Sequence, residues 1–385
     1  MTALRSAPTG SAAGYPYRPY RLVGTLLAVL VLCLAGLEQA RNALYPVDRD
    51  FVSFWAAGRL ALWGVPEGAY DREMLHALQA QAVTFETKAE LPFAYPPAFL
   101  LLLLPFAAMP FAIGMAAWTL ATTGGWLAVV RRMFPKSGWL ALGFPPIFAN
   151  AAIGQNGCLT ASAFAGGLIL LPRWPFLAGL VLGCLVLKPQ LALLLPIALL
   201  AGWQWRAMAG AAASALALLL LGPLLFGTDA TRGWIDQMPL YAEIARNGLV
   251  GWPKLASVYA TAREMGVAAS PALAIHAAVA LLAAYAVWRV WRSDAVPGLK
   301  ASILIAASLL ASPYLFLYDQ IILAVPLLWL AERWCPAGIV GALWLAPVAA
   351  IALAALGSIP INLGAIVPMM LVAVLWQRFK GRPAQ

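Results

Sequence analysis

Apolar stretches on the scale of a bilayer crossing recur from one end of this chain to the other, as at 22–37, 207–226 and 337–356. About 20 apolar residues in helical form cross the hydrocarbon core. Lipid offers a backbone amide no hydrogen-bond partner, so these segments must become helices, which satisfy their own amides. Only 10% of the residues are charged and 63% are hydrophobic, against about 25% charged in soluble domains. A water-soluble fold is excluded. The expected fold is all-α: a polytopic membrane protein forming one integral domain over 1–385, with about 12 transmembrane helices.

A formal charge of +10 would suit nucleic acid if it lay on one face. Instead Lys and Arg gather in short patches beside apolar segments: Arg18 and Arg21; Arg131, Arg132 and Lys136; Arg206; Arg289 and Arg292; Arg378, Lys380 and Arg382. That is the positive-inside pattern, so the expected partner is the lipid bilayer and no nucleic acid. Read as cytoplasmic, the patches put both termini inside, with 1–21 as a cytoplasmic leader. No small-residue cleavage site follows the first apolar span, which is expected to remain as an anchor. Trp203, Trp205, Trp288 and Trp291 beside the basic patches read as interfacial anchors.

The stretch 41–92 is the richest in carboxylates, holding Asp48, Asp50, Glu67, Asp71, Glu73, Glu86 and Glu90, and is expected to be the first external loop. Phe51, Phe54, Trp55, Gly58 and Leu62, then Leu75, Leu78 and Ala82, recur in it at helical spacing. They predict short amphipathic helices lying in the interface. A second large external loop is expected at 227–270, after a helix that starts beside Arg206. Between Phe93 and Val130, broken by Pro105 and Pro110, a hairpin fits the length but would carry Arg131 and Arg132 outside; both topologies stay open.

Cys33, Cys158, Cys184 and Cys335 show no pairing pattern, and His76 and His276 are the chain's histidines. No metal site, nucleotide loop or cofactor is expected. Ionisable side chains among apolar helices are costly and mark function by default. Asp50 lies at the mouth of the first loop, placed to cap the helix beginning at Phe51. Lys188 precedes Pro189 between two short apolar segments, where a broken helix is tolerated if it lines a cavity; snorkelling to the interface is the plainer alternative. Gly154-Gln155-Asn156-Gly157 is a polar turn, and Tyr95-Pro96-Pro97 brings the chain back into the membrane. Ser312-Pro313-Tyr314 and Tyr318-Asp319-Gln320 set an acid and tyrosines between apolar runs, and a buried Asp319 needs a cation as partner.

The order Asp50-Phe51, Trp55-Ala56-Ala57-Gly58, Gly64, Tyr70-Asp71, Tyr95-Pro96-Pro97, Gly154-Gln155-Asn156, Lys188-Pro189, Ser312-Pro313 and Tyr318-Asp319 resembles glycosyltransferase family 87, over roughly 50–320. The resemblance implies a GT-C type enzyme of the plasma (inner) membrane, its active site facing the periplasm or exterior. The donor would be a polyprenyl-phosphate-linked sugar, commonly mannose, and the acceptor an envelope glycolipid or glycan. By resemblance Asp50 is the general base of an inverting transfer. Lys188 maps to donor phosphate, and Tyr95, Gln155, Asn156, Tyr318 and Asp319 map to substrate-binding positions. Some members carry a histidine near Tyr318 or Asp319; this chain has none there, so that role is absent or filled differently. On this footing Lys188→Ala is expected to weaken donor use with little loss of folding. A transporter or flippase of lipid-linked sugars is the alternative; it would call for internal repeats, and no convincing pairing between the halves is found.

Overall fold

The computed structural model describes residues 17–46, 49–84, 91–333, 337–355 and 363–381. The leader 1–16, Asp48, Glu86, Glu90, Cys335 and Arg382 lie outside the described residues, as do the side chains of Arg18 and Arg21. Among those described, regular structure is helical, with an isolated antiparallel bridge between Leu255 and Phe316. Four helical stretches are long and apolar enough to cross a membrane: Val23–Leu44, Phe111–Met133, Trp205–Asn247 and Ala269–Trp291.

The chain runs α1 (Tyr17–Leu44), α2 (Phe51–Leu62), a 3-10 turn Pro66–Tyr70 and α3 (Arg72–Ala82), then α4 (Ala98–Ala107) and α5 (Phe111–Met133). A 3-10 segment Gly138–Gly143 leads into α6 (Pro146–Ile153), followed by α7 (Gly157–Leu170) and α8 (Pro175–Gly183). The 3-10 turns Cys184–Leu187 and Pro189–Leu191 flank Lys188 and pass to α9 (Leu195–Ala201). α10 (Trp205–Asp236) is bent at Gly227, whose φ is 81°. α11 (Met238–Asn247), a 3-10 turn Trp252–Lys254 and α12 (Val258–Glu264) follow, so much of the expected loop 227–270 is helical. The remainder is α13 (Ala269–Trp291), α14 (Pro297–Ala311), a 3-10 helix Leu317–Leu323 continuing into α15 (Ala324–Arg333), α16 (Ala337–Ala355) and α17 (Ile366–Lys380).

Helix length bears on the two readings of 93–130. α4 has 10 residues, about 15 Å at 1.5 Å each, half of a hydrocarbon core of roughly 30 Å. α5 is long and apolar enough to cross alone: Phe111 packs against Phe51, and Arg131 and Arg132 occupy its last turn. The arginines therefore sit at the end away from Asp50. Further contacts gather the other basic patches there. Ser137 donates to Glu332 at the foot of α15, and Gly298 at the start of α14 abuts Trp329. Trp291 donates to the Lys300 carbonyl, Tyr285 packs on Trp376 of α17, and Trp203, Trp205, Trp288 and Arg292 line one pocket.

The first loop departs from expectation in one respect. The helices foreseen from spacing exist, and α3 is amphipathic, burying Leu75 and Leu78. α2 does not lie in the interface: nine of its residues, Phe51 to Gly58 and Leu60, are buried against protein. Aromatic contacts explain this. Phe51 and Phe54 meet Trp118 at 6.4 and 5.8 Å between ring centroids, Phe54 meets Phe99 edge-on at 5.5 Å, and the Trp55 indole donates to the Met109 carbonyl at 2.9 Å. Such ring pairs add about 0.5–1.5 kcal/mol each beyond area burial, enough to draw a short helix into the bundle and hold its first turn in place.

Candidate active site

The site is organised around the turn joining α6 to α7. Asn150 closes it: its carbonyl accepts the Gln155 N–H at 3.0 Å and its side-chain oxygen accepts the Gly157 N–H at 2.7 Å. Gly154 is left-handed, φ 69°, a conformation that a β-carbon disfavours. A β-carbon there would also lie 2.5 Å from Cβ of Phe51, and one on Gly157 would collide with the Tyr318 carbonyl. The turn is thus clamped between the start of α2 and the 3-10 helix Leu317–Leu323.

Asp50 precedes α2, but its expected capping role is corrected. Its backbone is already helical, φ −52° and ψ −30°, and its side chain makes no cap bond. Side-chain capping goes with extended backbone at that position; here the carboxylate turns aside and accepts from Gln155 Nε2 at 2.8 Å. The residue keeps partial exposure. Desolvation by its protein surroundings raises the carboxyl above its ordinary value, against the opposing pull of the Gln155 hydrogen bond and then of Lys254, Lys188 and Arg49.

Lys188 stands at the apex between the α8 and α9 segments, where its backbone leaves helical geometry, φ −143° and ψ 69°. It does not snorkel. The residue is 3% exposed, and Nζ donates to Asp319 Oδ1 at 2.5 Å and to Asn156 Oδ1 at 3.2 Å, 4.7 Å from the Tyr318 ring centroid. The second Asp319 oxygen accepts the Phe316 N–H at 3.1 Å. Asp319 thereby has the cation its burial demands, because an unpaired buried charge costs several kcal/mol. Tyr95 stacks on Phe99 at 4.5 Å and faces Asn156 with its hydroxyl. Asn156 Nδ2 is buried and, among the described residues, has no partner beyond the Tyr95 hydroxyl that it faces.

Asp50, Tyr95, Gln155, Asn156, Lys188, Tyr318 and Asp319 therefore meet in one cluster. Two further residues were not singled out from sequence: Asn150, which fixes the turn, and Lys254, which shares the electrostatics of the cluster with Tyr314 of the Ser312-Pro313-Tyr314 run. Asn150 sits in an apolar helix one turn before a glycine, a pattern that a closing turn explains. Lys254 lies in Gly251-Trp252-Pro253-Lys254, a run of turn formers.

The sequence model of glycosyltransferase family 87 matches residues 93–313, more than half of the chain. The chain belongs to glycosyltransferase family 87. No curated protein and no solved structure matches it significantly. As a family 87 member it is a membrane glycosyltransferase, acting on a sugar donor and an acceptor. The matched stretch takes in Tyr95, Gln155, Asn156 and Lys188; Asp50 lies before it, and Tyr318 and Asp319 just after. Among the described residues no group of His, Cys, Asp and Glu is arranged to hold a metal ion.

For a family 87 enzyme the clamp carries a prediction. Gly157→Ala must push the turn away from Tyr318 and shift Gln155 and Asn156 with it. Misplacement by about 1 Å costs on the order of 100-fold in rate. Glycosyl transfer by this variant is expected to fall by that much at saturating donor, and wild-type turnover would show that the clamp does not set the site.

Proposed function

We propose that this protein is an inverting glycosyltransferase of GT-C type that moves a hexose, mannose foremost, from a polyprenyl-phosphate sugar to a glycolipid or glycan acceptor of the cell envelope. Asp50 is the general base. As the acceptor oxygen attacks C1 of the sugar, its proton passes to Asp50, the bond from C1 to the phosphate oxygen breaks, and the electron pair leaves on the polyprenyl phosphate. One observation carries this reading: Asp50 keeps partial exposure as a residue, and its carboxylate is released from helix capping, aimed by a Gln155 donor and raised in pKa by burial. A general base needs reach and basicity, and this carboxylate has both. Gln155, Asn156 and Tyr95 suit hydroxyls of the sugar or acceptor. Lys188, its charge matched by Asp319 beneath the Tyr318 ring, forms the polar floor toward the donor phosphate.

The side of the membrane follows from charge. Arg131, Arg132, Arg206, Arg289, Arg292, Arg333, Arg378 and Lys380 belong to the end away from Asp50, whose acidic residues include Asp294 and Glu332. On the positive-inside rule that end is cytoplasmic, and Asp50 faces the exterior or periplasm across the plasma (inner) membrane, with the loops 41–92 and 227–270 on its side. About 12 crossings suit the chain when short helices and 3-10 turns join end to end in one pass.

Purified full-length protein given polyprenyl-phosphate mannose and envelope glycolipid extract is expected to form an α-linked product. Transfer from a nucleotide sugar with no lipid donor present would overturn the donor assignment. The pH profile gives an independent check. Because the base acts ionised and its pKa is raised, kcat/KM should fall with acidification around an apparent pKa above about 3.9, the ordinary aspartate value. An acid limb at or below that value would reject the raised base.

A further inference from the structure

We propose that Lys254 supplies the uncompensated positive charge that holds the donor phosphate, from the rim of the site across the aromatic wall from Lys188. This rests on the lipid-phosphate donor reading above. The charges of the site require such a group. Lys188 is neutralised within the protein by Asp319, and Arg49 is tied to Glu38 at 2.7 Å. With those pairs closed, Asp50 leaves the site negative. A phosphodiester that gains charge as it departs would be repelled. Of the three cations acting on Asp50, Lys254 acts most strongly, and among the described residues it takes part in no ion pair.

Its position is fixed by the fold. Lys254 ends the 3-10 turn Trp252–Lys254, and the next residue, Leu255, bridges Phe316, while the Ala256 N–H donates to the Leu315 carbonyl at 2.6 Å. The Phe316 ring stacks on Tyr318 at 5.1 Å, the ring over which Lys188 lies. On its other side the turn is anchored by Trp252, packed on Tyr259 at 6.2 Å with the Arg263 guanidinium 5.4 Å from its ring centroid. Lys254 is thus an exposed ammonium on a pinned turn, joined through Leu255, Phe316 and Tyr318 to the wall that carries Lys188. In the transfer it makes no covalent bond. It binds the phosphate oxygens before the bond to C1 breaks and stabilises the second negative charge afterwards.

Full-length protein in lipid nanodiscs, titrated with polyprenyl phosphate and with uncharged polyprenol, tests this. Wild type is expected to prefer the phosphate. Lys254→Ala should weaken that binding by about 10- to 100-fold, the loss of a charge-assisted hydrogen bond, and Lys254→Arg should retain most of it. Polyprenol binding should not move. In Lys254→Ala the acid limb of the transfer profile should also shift to higher pH, since a cation that favours ionised Asp50 is gone; a structural role would not produce that shift. Unchanged phosphate affinity in Lys254→Ala with an unmoved acid limb overturns the role of Lys254. Wild type that binds polyprenyl phosphate no better than polyprenol overturns the donor reading beneath it.

Discussion

Asp50→Asn is expected to cut glycosyl transfer by about 10²- to 10⁴-fold, the usual contribution of a positioned base, without lowering the melting temperature. Asparagine keeps the shape and can still bond to Gln155, but it cannot take a proton from the acceptor. The stability side follows from the raised pKa. The folded protein holds the Asp50 proton more tightly than the unfolded chain does, so above the unfolded pKa ionisation works against the fold. A neutral amide removes that burden at neutral pH, and thermal stability should hold or rise. Transfer and unfolding measured on one preparation check both halves. Undiminished transfer removes Asp50 as base, and a melting temperature lowered by several degrees would make the carboxylate a structural group.

Lys188→Ala is expected to destabilise the protein by about 3–5 kcal/mol, the cost of leaving one member of a buried ion pair alone. The sequence led to a different expectation, little loss of folding, because Lys188 there looked like a free cation in a cavity. In the structure it holds Asp319, Asn156 and the Tyr318 face together. Asp319→Asn should cost a similar amount. The double replacement Lys188→Met with Asp319→Leu should recover most of the stability, since apolar residues of similar volume often substitute for a buried pair at little cost. It should not recover transfer. The coupling energy from the cycle of Lys188→Met, Asp319→Leu and their double, read by unfolding, is the measurement; a single Lys188→Ala variant with wild-type stability would show that the pair does not support the fold.

The membrane class and the helices of the first loop were legible because they rest on local pattern. Apolar run length identifies a crossing, and the spacing of Phe51, Phe54, Trp55 and Gly58 identifies α2 whatever surrounds it. The side on which α2 is buried was not legible, since a helix apolar enough for the headgroup region also suits a protein core. Asp50 shows the same limit on a smaller scale. An aspartate before an apolar helix reads as a cap, and whether its own backbone is extended or helical is set by packing further along the chain. The partner of Lys188 lies 131 residues away, so the sequence could demand a counter-ion for Asp319 without naming it. Lys254 could not be told from Arg232, Arg246 or Arg263, because residues in one polar stretch differ only in what the fold brings next to them. At Pro105 and Pro110 the sequence showed breaks but not helix lengths, and α4 falls short of a full crossing by itself.

The clamped turn between α6 and α7 also bears on how such an enzyme changes its substrate. Where main-chain atoms and glycines press against Phe51 and Tyr318, side-chain exchange cannot enlarge the floor; it can only break it. Adaptation to another sugar or acceptor is left to residues around the cluster, the ring formed by the 252–254 turn and α11, whose C-cap Gly248 packs on Trp252. A directed-evolution library confined to 154–157 should return inactive clones, and one spread over that ring should return altered preference.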